Sequence, residues 1–215
     1  MTIRLALFED KIAPGMSLVW PAAPRVIYVR WGALRLVTAS GTRLMPIESA
    51  TLVQEAIELR GDGDAWTFEL SAQPTAALSA AEQARAVLAN DIELDPAEPV
   101  LFRADRIEFA PNGVTPRHGH RGAGIRRLIY GRLAAQIGHE VKRINAGDAW
   151  FESGTDPVIG RNLAPSSAFV RAMALSPSLK GKPTFLPWTP EDAARPRGVA
   201  PRQYFDELVD LPMPR

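Results

Sequence analysis

Apolar and polar residues alternate along most of the chain in short runs, and glycine or proline closes nearly every run. Residues 25–36 (RVIYVRWGALRL) are rich in β-branched and aromatic side chains and are interrupted by Gly32. Residues 51–59 and 65–70 follow, with the turn signal Gly61-Asp62-Gly63 between them. The same pattern returns at 100–109, 125–137, 149–152 and 168–175. Many short strands at close spacing, punctuated by turn residues, predict an all-β sandwich or barrel. One segment breaks the pattern. Ser79-Ala80-Ala81-Glu82 has the form of a capping box, and the alanine-rich run to Leu88 favours helix. Beyond residue 175 the chain is rich in proline, which predicts an irregular arm that Phe185, Trp188, Tyr204, Phe205 and Leu208 could anchor. The expected organisation is a barrel over 1–74, a helical connector over 75–95, and a second barrel with the arm over 96–215.

Composition narrows the chemistry. The 215 residues are 46% hydrophobic and 23% charged, as in ordinary globular proteins. The net charge of +1 offers no broad footprint for nucleic acid. No run approaches the ~20 apolar residues of a membrane helix, and Glu9 and Asp10 directly follow the first apolar stretch, unlike a signal peptide. A cytoplasmic location is expected, with neither nucleic acid nor membrane as a partner. The absence of cysteine excludes disulfides, thiolate metal sites and a cysteine nucleophile. Three histidines cap any imidazole ligand set at three. GxGxxG, the phosphate-binding GxxxxGK[ST] and GxSxG are all missing. The basic residues are nearly all arginine, which suits bidentate binding of anions, although genomic base composition explains the bias as well.

The two halves show a repeat. Tyr28-Val29-Arg30-Trp31-Gly32-Ala33-Leu34 resembles Leu128-Ile129-Tyr130-Gly131-Arg132-Leu133, an offset of 99 when Gly32 is set on Gly131. A competing match, Gly63-Asp64-Ala65-Trp66 with Gly147-Asp148-Ala149-Trp150, has an offset of 84 and disagrees with the first.

The stretch 112–131 (NGVTPRHGHRGAGIRRLIYG) carries most of the chemistry. His118 and His120 are two apart, so on a strand both imidazoles point to one face. Arg126, Leu128 and Tyr130 likewise share a face, and an arginine inside an apolar barrel suits a carboxylate or phosphate. Gly113, the HxH pair and Gly131 resemble the first motif of the cupin family, and Gly147-Asp148 to Gly154, with Asn162 beyond, resembles the second. The glutamate slot of the first motif falls on Gly124, and the proline and histidine slots of the second motif fall on Glu152 and Pro157. In the first half, the HxH slots fall on Val19 and Pro21.

The resemblance implies two double-stranded β-helix barrels, a bicupin whose first barrel lacks a metal motif. It implies a divalent transition metal (Fe, Mn, Ni or Zn) on His118 and His120, with Glu152, Asp156 or Glu108 as a replacement carboxylate and Glu152 preferred. His139 reads as a solvated turn residue. Arg126, Tyr130 and Trp150 are the candidate substrate-binding residues, and no catalytic residue is assigned. Three functions are compatible with these features: a metal-dependent oxygenase, isomerase or lyase on a small organic acid, a metal-free ligand-binding or sensor protein, and a structural oligomer. A homodimer is the expected assembly.

Overall fold

The computed structural model describes residues 2–72, 84–94 and 98–211. The chain divides into two compact units, with the breaks between Val100 and Leu101 and between Leu208 and Val209. Both are built almost wholly from antiparallel strands.

The first unit contains β1 (Thr2–Ile12), β2 (Ser17–Trp20), β3 (Arg25–Thr38), β4 (Gly41–Met45), β5 (Ala50–Val53), β6 (Ile57–Ser71) and β7 (Ala84–Glu93). They form one sheet in the order β4-β3-β6-β1-β7, with β2 on β6 and β5 on β3. The two long strands each serve both layers of the barrel. The start of β3 pairs with β5 and its end with β4, while β6 pairs first with β2 and then with β1. The bend has a local cause. A bulge lies between Val29 and Trp31, and next to it Gly32 (φ +82°) faces Gly63. A Cβ on Gly32 would sit 2.1 Å from the Asp62 carbonyl oxygen, so only glycine lets the strands cross here. For the same reason Gly61-Asp62-Gly63 is not a turn; β6 runs straight through it. The interior is filled by Phe8, Trp20, Leu34, Leu36, Met45 and Leu59, among others.

The connector helix needs correction where it can be seen. Residues 84–88 continue no helix; they belong to β7, which pairs along β1 from Ala84 to Glu93. Pairing with an open edge outweighs the helix propensity of alanine. Its capping box, 79–82, lies outside the described residues.

The second unit contains β8 (Val100–Phe109), β9 (His118–His120), β10 (Ala123–Tyr130), β11 (Arg132–Ile137), β12 (Glu140–Asn145), β13 (Ala149–Glu152), β14 (Val158–Asn162), β15 (Ser167–Leu175), β16 (Phe185–Pro187) and β17 (Val199–Val209). Two five-stranded sheets, β13-β10-β15-β8-β17 and β12-β11-β14-β9-β16, make a jelly roll. Here too a bulge, between Leu128 and Tyr130, precedes a glycine with positive φ, Gly131 at +85°.

The arm is more regular than its prolines predict. It adds one edge strand to each sheet, β16 beside β9 and β17 beside β8, and carries a short helix, α1 (Pro190–Ala194), between them. Its prolines sit where no backbone donor is lost to the sheet: Pro187 and Pro201 lie on edge strands and Pro190 opens α1 behind the cap Thr189. Arg103, from β8, holds the arm. Its guanidinium donates to the carbonyls of Leu179 (2.9 Å) and Lys182 (2.8 Å) and pairs with Asp206 (2.7 Å).

Candidate functional site

Strand alternation sends every second residue of β8, β9, β10, β11, β13 and β15 into the second barrel. Most are apolar: Ile107, Phe109, Leu128, Leu133, Ala135, Trp150 and Phe169 pack together. Against them lies a cavity of about 120 Å³, also bounded by Thr115, His118, His120, Arg126, Glu152, Gly160 and Arg171 and, from the arm, by Phe185, Arg197, Val199 and Pro201.

The HxH spacing does what its alternation predicts. His118 and His120 lie on β9, both are buried, and their ring centres are 4.9 Å apart. His118 Nδ1 is 2.8 Å from the Pro116 carbonyl oxygen. A carbonyl only accepts, so Nδ1 carries the proton and Nε2 keeps its lone pair. Phe185 stacks on the His118 ring at 4.3 Å and 17°. Burial lowers the pKa of His118, and brings that of His120 down to about 4 against the pull of nearby Glu152. Both imidazoles are therefore neutral at pH 7.

Glu152, on β13, is the centre of a buried polar cluster. Its Oε1 accepts from the Trp150 indole N–H at 2.8 Å. Its Oε2 lies 2.7 Å from Arg126 Nη2 and 3.3 Å from His120 Nε2. Burial alone would raise its pKa; the charge of Arg126 and the N–H groups of His120 and Trp150 outweigh that and hold it well below the usual carboxylate range. Arg126 is only 1% exposed and also donates to the Gly124 carbonyl. Beside it, Arg171 forms a two-pronged pair with Asp105, at 2.9 and 2.5 Å.

This arrangement does not fit a transition metal. Such an ion needs lone pairs from several converging donors. Glu152 Oε2, the best acidic donor, is already against a guanidinium, and His120 Nε2 faces that same carboxylate. Among the described residues no group of three or more histidines, aspartates and glutamates is set to hold an ion. The other two carboxylates considered as ligands are elsewhere: Glu108 is half exposed and paired with Arg106, and Asp156 accepts from Ser153 in an exposed turn. His139 is an exposed turn residue, as expected.

The expected ligand-binding residues divide. Trp150 lines the cavity, edge-on to Phe169. Arg126 reaches the cavity but is engaged by Glu152. Tyr130 does not line it. The bulge after Leu128 breaks the alternation that would have put Tyr130 beside Arg126, and its hydroxyl accepts from Arg106 instead. The register also corrects the first barrel. Val19 and Pro21 are exposed, and Trp20, paired with Ile57 as His118 is paired with Val158, occupies the inward place. Pattern reading missed Asp105, Arg171, Thr115, Phe185 and Arg197. Alternation on 168–175 marks Arg171 as inward, but only the pairing of β8 with β15 brings Asp105 opposite it.

No family model and no protein of curated function matches the sequence. Solved structures do. A variant of the oxalate decarboxylase OxdC from Bacillus subtilis is 11% identical, with 80% of this chain and 69% of that one covered at a TM-score of 0.60. A salicylate 1,2-dioxygenase variant from Pseudoaminobacter salicylatoxidans, in complex with gentisate, is 9% identical, with 84% and 70% covered and a TM-score of 0.57. A cupin 2 conserved barrel domain protein from Leptotrichia buccalis is 9% identical, with 80% and 84% covered and a TM-score of 0.52. The likeness is one of fold: the chain has the cupin-type jelly-roll architecture. No helix among the described residues is long and apolar enough to cross a membrane.

Proposed function

We propose that this chain is a bicupin whose second barrel binds a small organic acid in the cavity between its sheets, using protein groups alone and no resident metal. The observation that carries this reading is the cavity itself, about 120 Å³ and mostly apolar, with His118, whose Nε2 is left as an acceptor, among the residues of its wall. An engineered apolar cavity of about 150 Å³ holds benzene, so the occupant has the size of a single ring or a short acyl chain. Trp150, Phe109, Phe169 and Leu133 enclose its hydrocarbon part. His118 accepts a hydrogen bond from a ligand hydroxyl or amine. Arg126 acts through Glu152, fixing the carboxylate that orients His120. The reading assigns no bond-breaking step. A protein of similar fold is named for salicylate, a single-ring organic acid, which supports an acid of this size.

The test is a thermal-shift and calorimetric screen of single-ring and short-chain acids. A binder at one hundred times its Kd stabilises the folded state by about 2.7 kcal/mol, and Ala135→Leu, which fills the cavity, abolishes the shift. No response to any acid, or an undiminished response in Ala135→Leu, overturns the reading. Stoichiometric transition metal that copurifies with the protein and is lost in His118→Ala overturns its metal-free part.

A further inference from the structure

The charges around the cavity do not balance, and the imbalance sits at one place. On the barrel floor, Arg126 is paired with Glu152 at 2.7 Å and Arg171 with Asp105 at 2.5 Å, so these four side chains cancel. His118 and His120 add nothing at neutral pH. On the arm side the cavity is bounded by Arg197, which is exposed and forms no ion pair among the described residues. Its guanidinium lies 4.2 Å over the ring of Phe185, and Phe185 in turn stacks on His118. The Phe185 ring holds the guanidinium at the edge of the cavity, where an exposed arginine suits a two-pronged carboxylate.

We infer that Arg197 is the specificity-determining residue of the site and that the ligand is a monocarboxylate, with its acid group on Arg197 at the mouth and its hydrocarbon body inside. The inference rests on the cavity being the ligand site proposed above. A second carboxylate on the ligand would lie in the apolar interior beside Glu152, where Arg126 and Arg171 are already paired with Glu152 and Asp105, and burying such an uncompensated charge is strongly unfavourable. Dicarboxylates are therefore excluded by the same arrangement that admits monocarboxylates.

The experiment compares matched probes by calorimetry: benzoate with benzamide, and hexanoate with hexanamide, on wild type, Arg197→Ala and Arg197→Lys. An exposed guanidinium is screened by water, so the expected preference of wild type for acid over amide is about three- to tenfold. Arg197→Ala weakens the acids by that factor and leaves the amides unchanged; Arg197→Lys keeps part of the preference. The same acid-to-amide ratio in wild type and Arg197→Ala overturns the inference. If amides and acids bind wild type equally, the acid specificity fails and the cavity reading stands. If none of the four binds wild type, the cavity reading fails and the inference falls with it.

Discussion

The two barrels bend at the same place and are filled by opposite means. Each has a bulge followed by a glycine of positive φ, Gly32 in one and Gly131 in the other, which aligns their strands residue by residue. In that register, Trp20, Leu36 and Leu59 of the first barrel stand where His118, Ala135 and Gly160 stand in the second. Three large apolar side chains thus become a polar ring, a methyl group and a hydrogen. On the floor, Phe8, Ile27, Val53 and Thr67 correspond to Asp105, Arg126, Glu152 and Arg171. The first barrel keeps its own buried ion pair, Arg25 with Glu69 at 2.6 Å, at positions that are Gly124 and Met173 in the second. One frame therefore makes a packed core or a cavity according to a handful of inward positions. Leaving about 120 Å³ unfilled forgoes roughly 3 kcal/mol of stability at ~24 cal/mol per Å³, a cost consistent with a binding site.

The comparison is broken most severely at the floor. Glu152→Ala strands the buried charge of Arg126 and should cost about 3–5 kcal/mol in urea unfolding, whereas the double change Arg126→Ile with Glu152→Val, which installs the first barrel's residues, should be close to neutral. A double mutant as unstable as the single one would show that the two floors are not interchangeable. Next come the walls. Leu36→Ala should destabilise the first barrel by about 2–5 kcal/mol, while the reverse exchange, Ala135→Leu, should change stability by less than about 1.5 kcal/mol in either direction. A loss of several kcal/mol in Ala135→Leu would mean that the cavity has no room for the side chain. Third are the bends. Gly32→Ala and Gly131→Ala should each cost about 1–3 kcal/mol, because both positions have positive φ and an added Cβ would meet a backbone oxygen within 2.5 Å (Asp62 and Ser166, respectively). Unequal losses would weaken the equivalence of the two bends.

The effect that is smallest per pH unit is on pH dependence, and its sign differs between the barrels. Asp10 is fully buried and hydrogen-bonded to Thr67, and burial pushes its carboxyl up to about 7. The folded state then holds a proton that the unfolded chain releases, so this contribution is full below about pH 4 and is lost as pH rises through 7. His120, lowered to about 4 by burial, behaves oppositely: its contribution is full above about pH 6.5 and is lost as pH falls through 4. Each slope is at most about 1.4 kcal/mol per pH unit. Comparing the stability of Asp10→Asn and His120→Gln with wild type from pH 4 to 8 checks both. Identical pH profiles in all three proteins would contradict the burial of these groups.

Much of the site could be read in the sequence where the pattern is local. The period of two put His118 and His120 on one face and made Arg126 a candidate for the interior. The Gly32–Gly131 match found the true repeat, because those glycines occupy a backbone conformation that other residues avoid. The match of Gly63 with Gly147 was chance: Gly63 faces Gly32 in mid-strand, and Gly147 lies in the turn before β13. Alternation failed at Tyr130, where one extra residue in a bulge reverses the facing of the residues beyond it. Helix propensity failed over 84–88, where a vacant sheet edge decided the structure.

The sequence by itself determined that the chain is β-rich, where its strands bend, which side chains share a face, and that cysteine chemistry is absent. These properties arise from side-chain shape and two-residue periodicity, which act between near neighbours. Only the tertiary structure decided what the buried charges do. Arg126 meets Glu152, Asp105 meets Arg171 across 66 residues, and Arg197 arrives from the arm with no ion pair among the described residues. A charge's role depends on which opposite charge lies within a few ångströms, and that is set by strand register and chain topology.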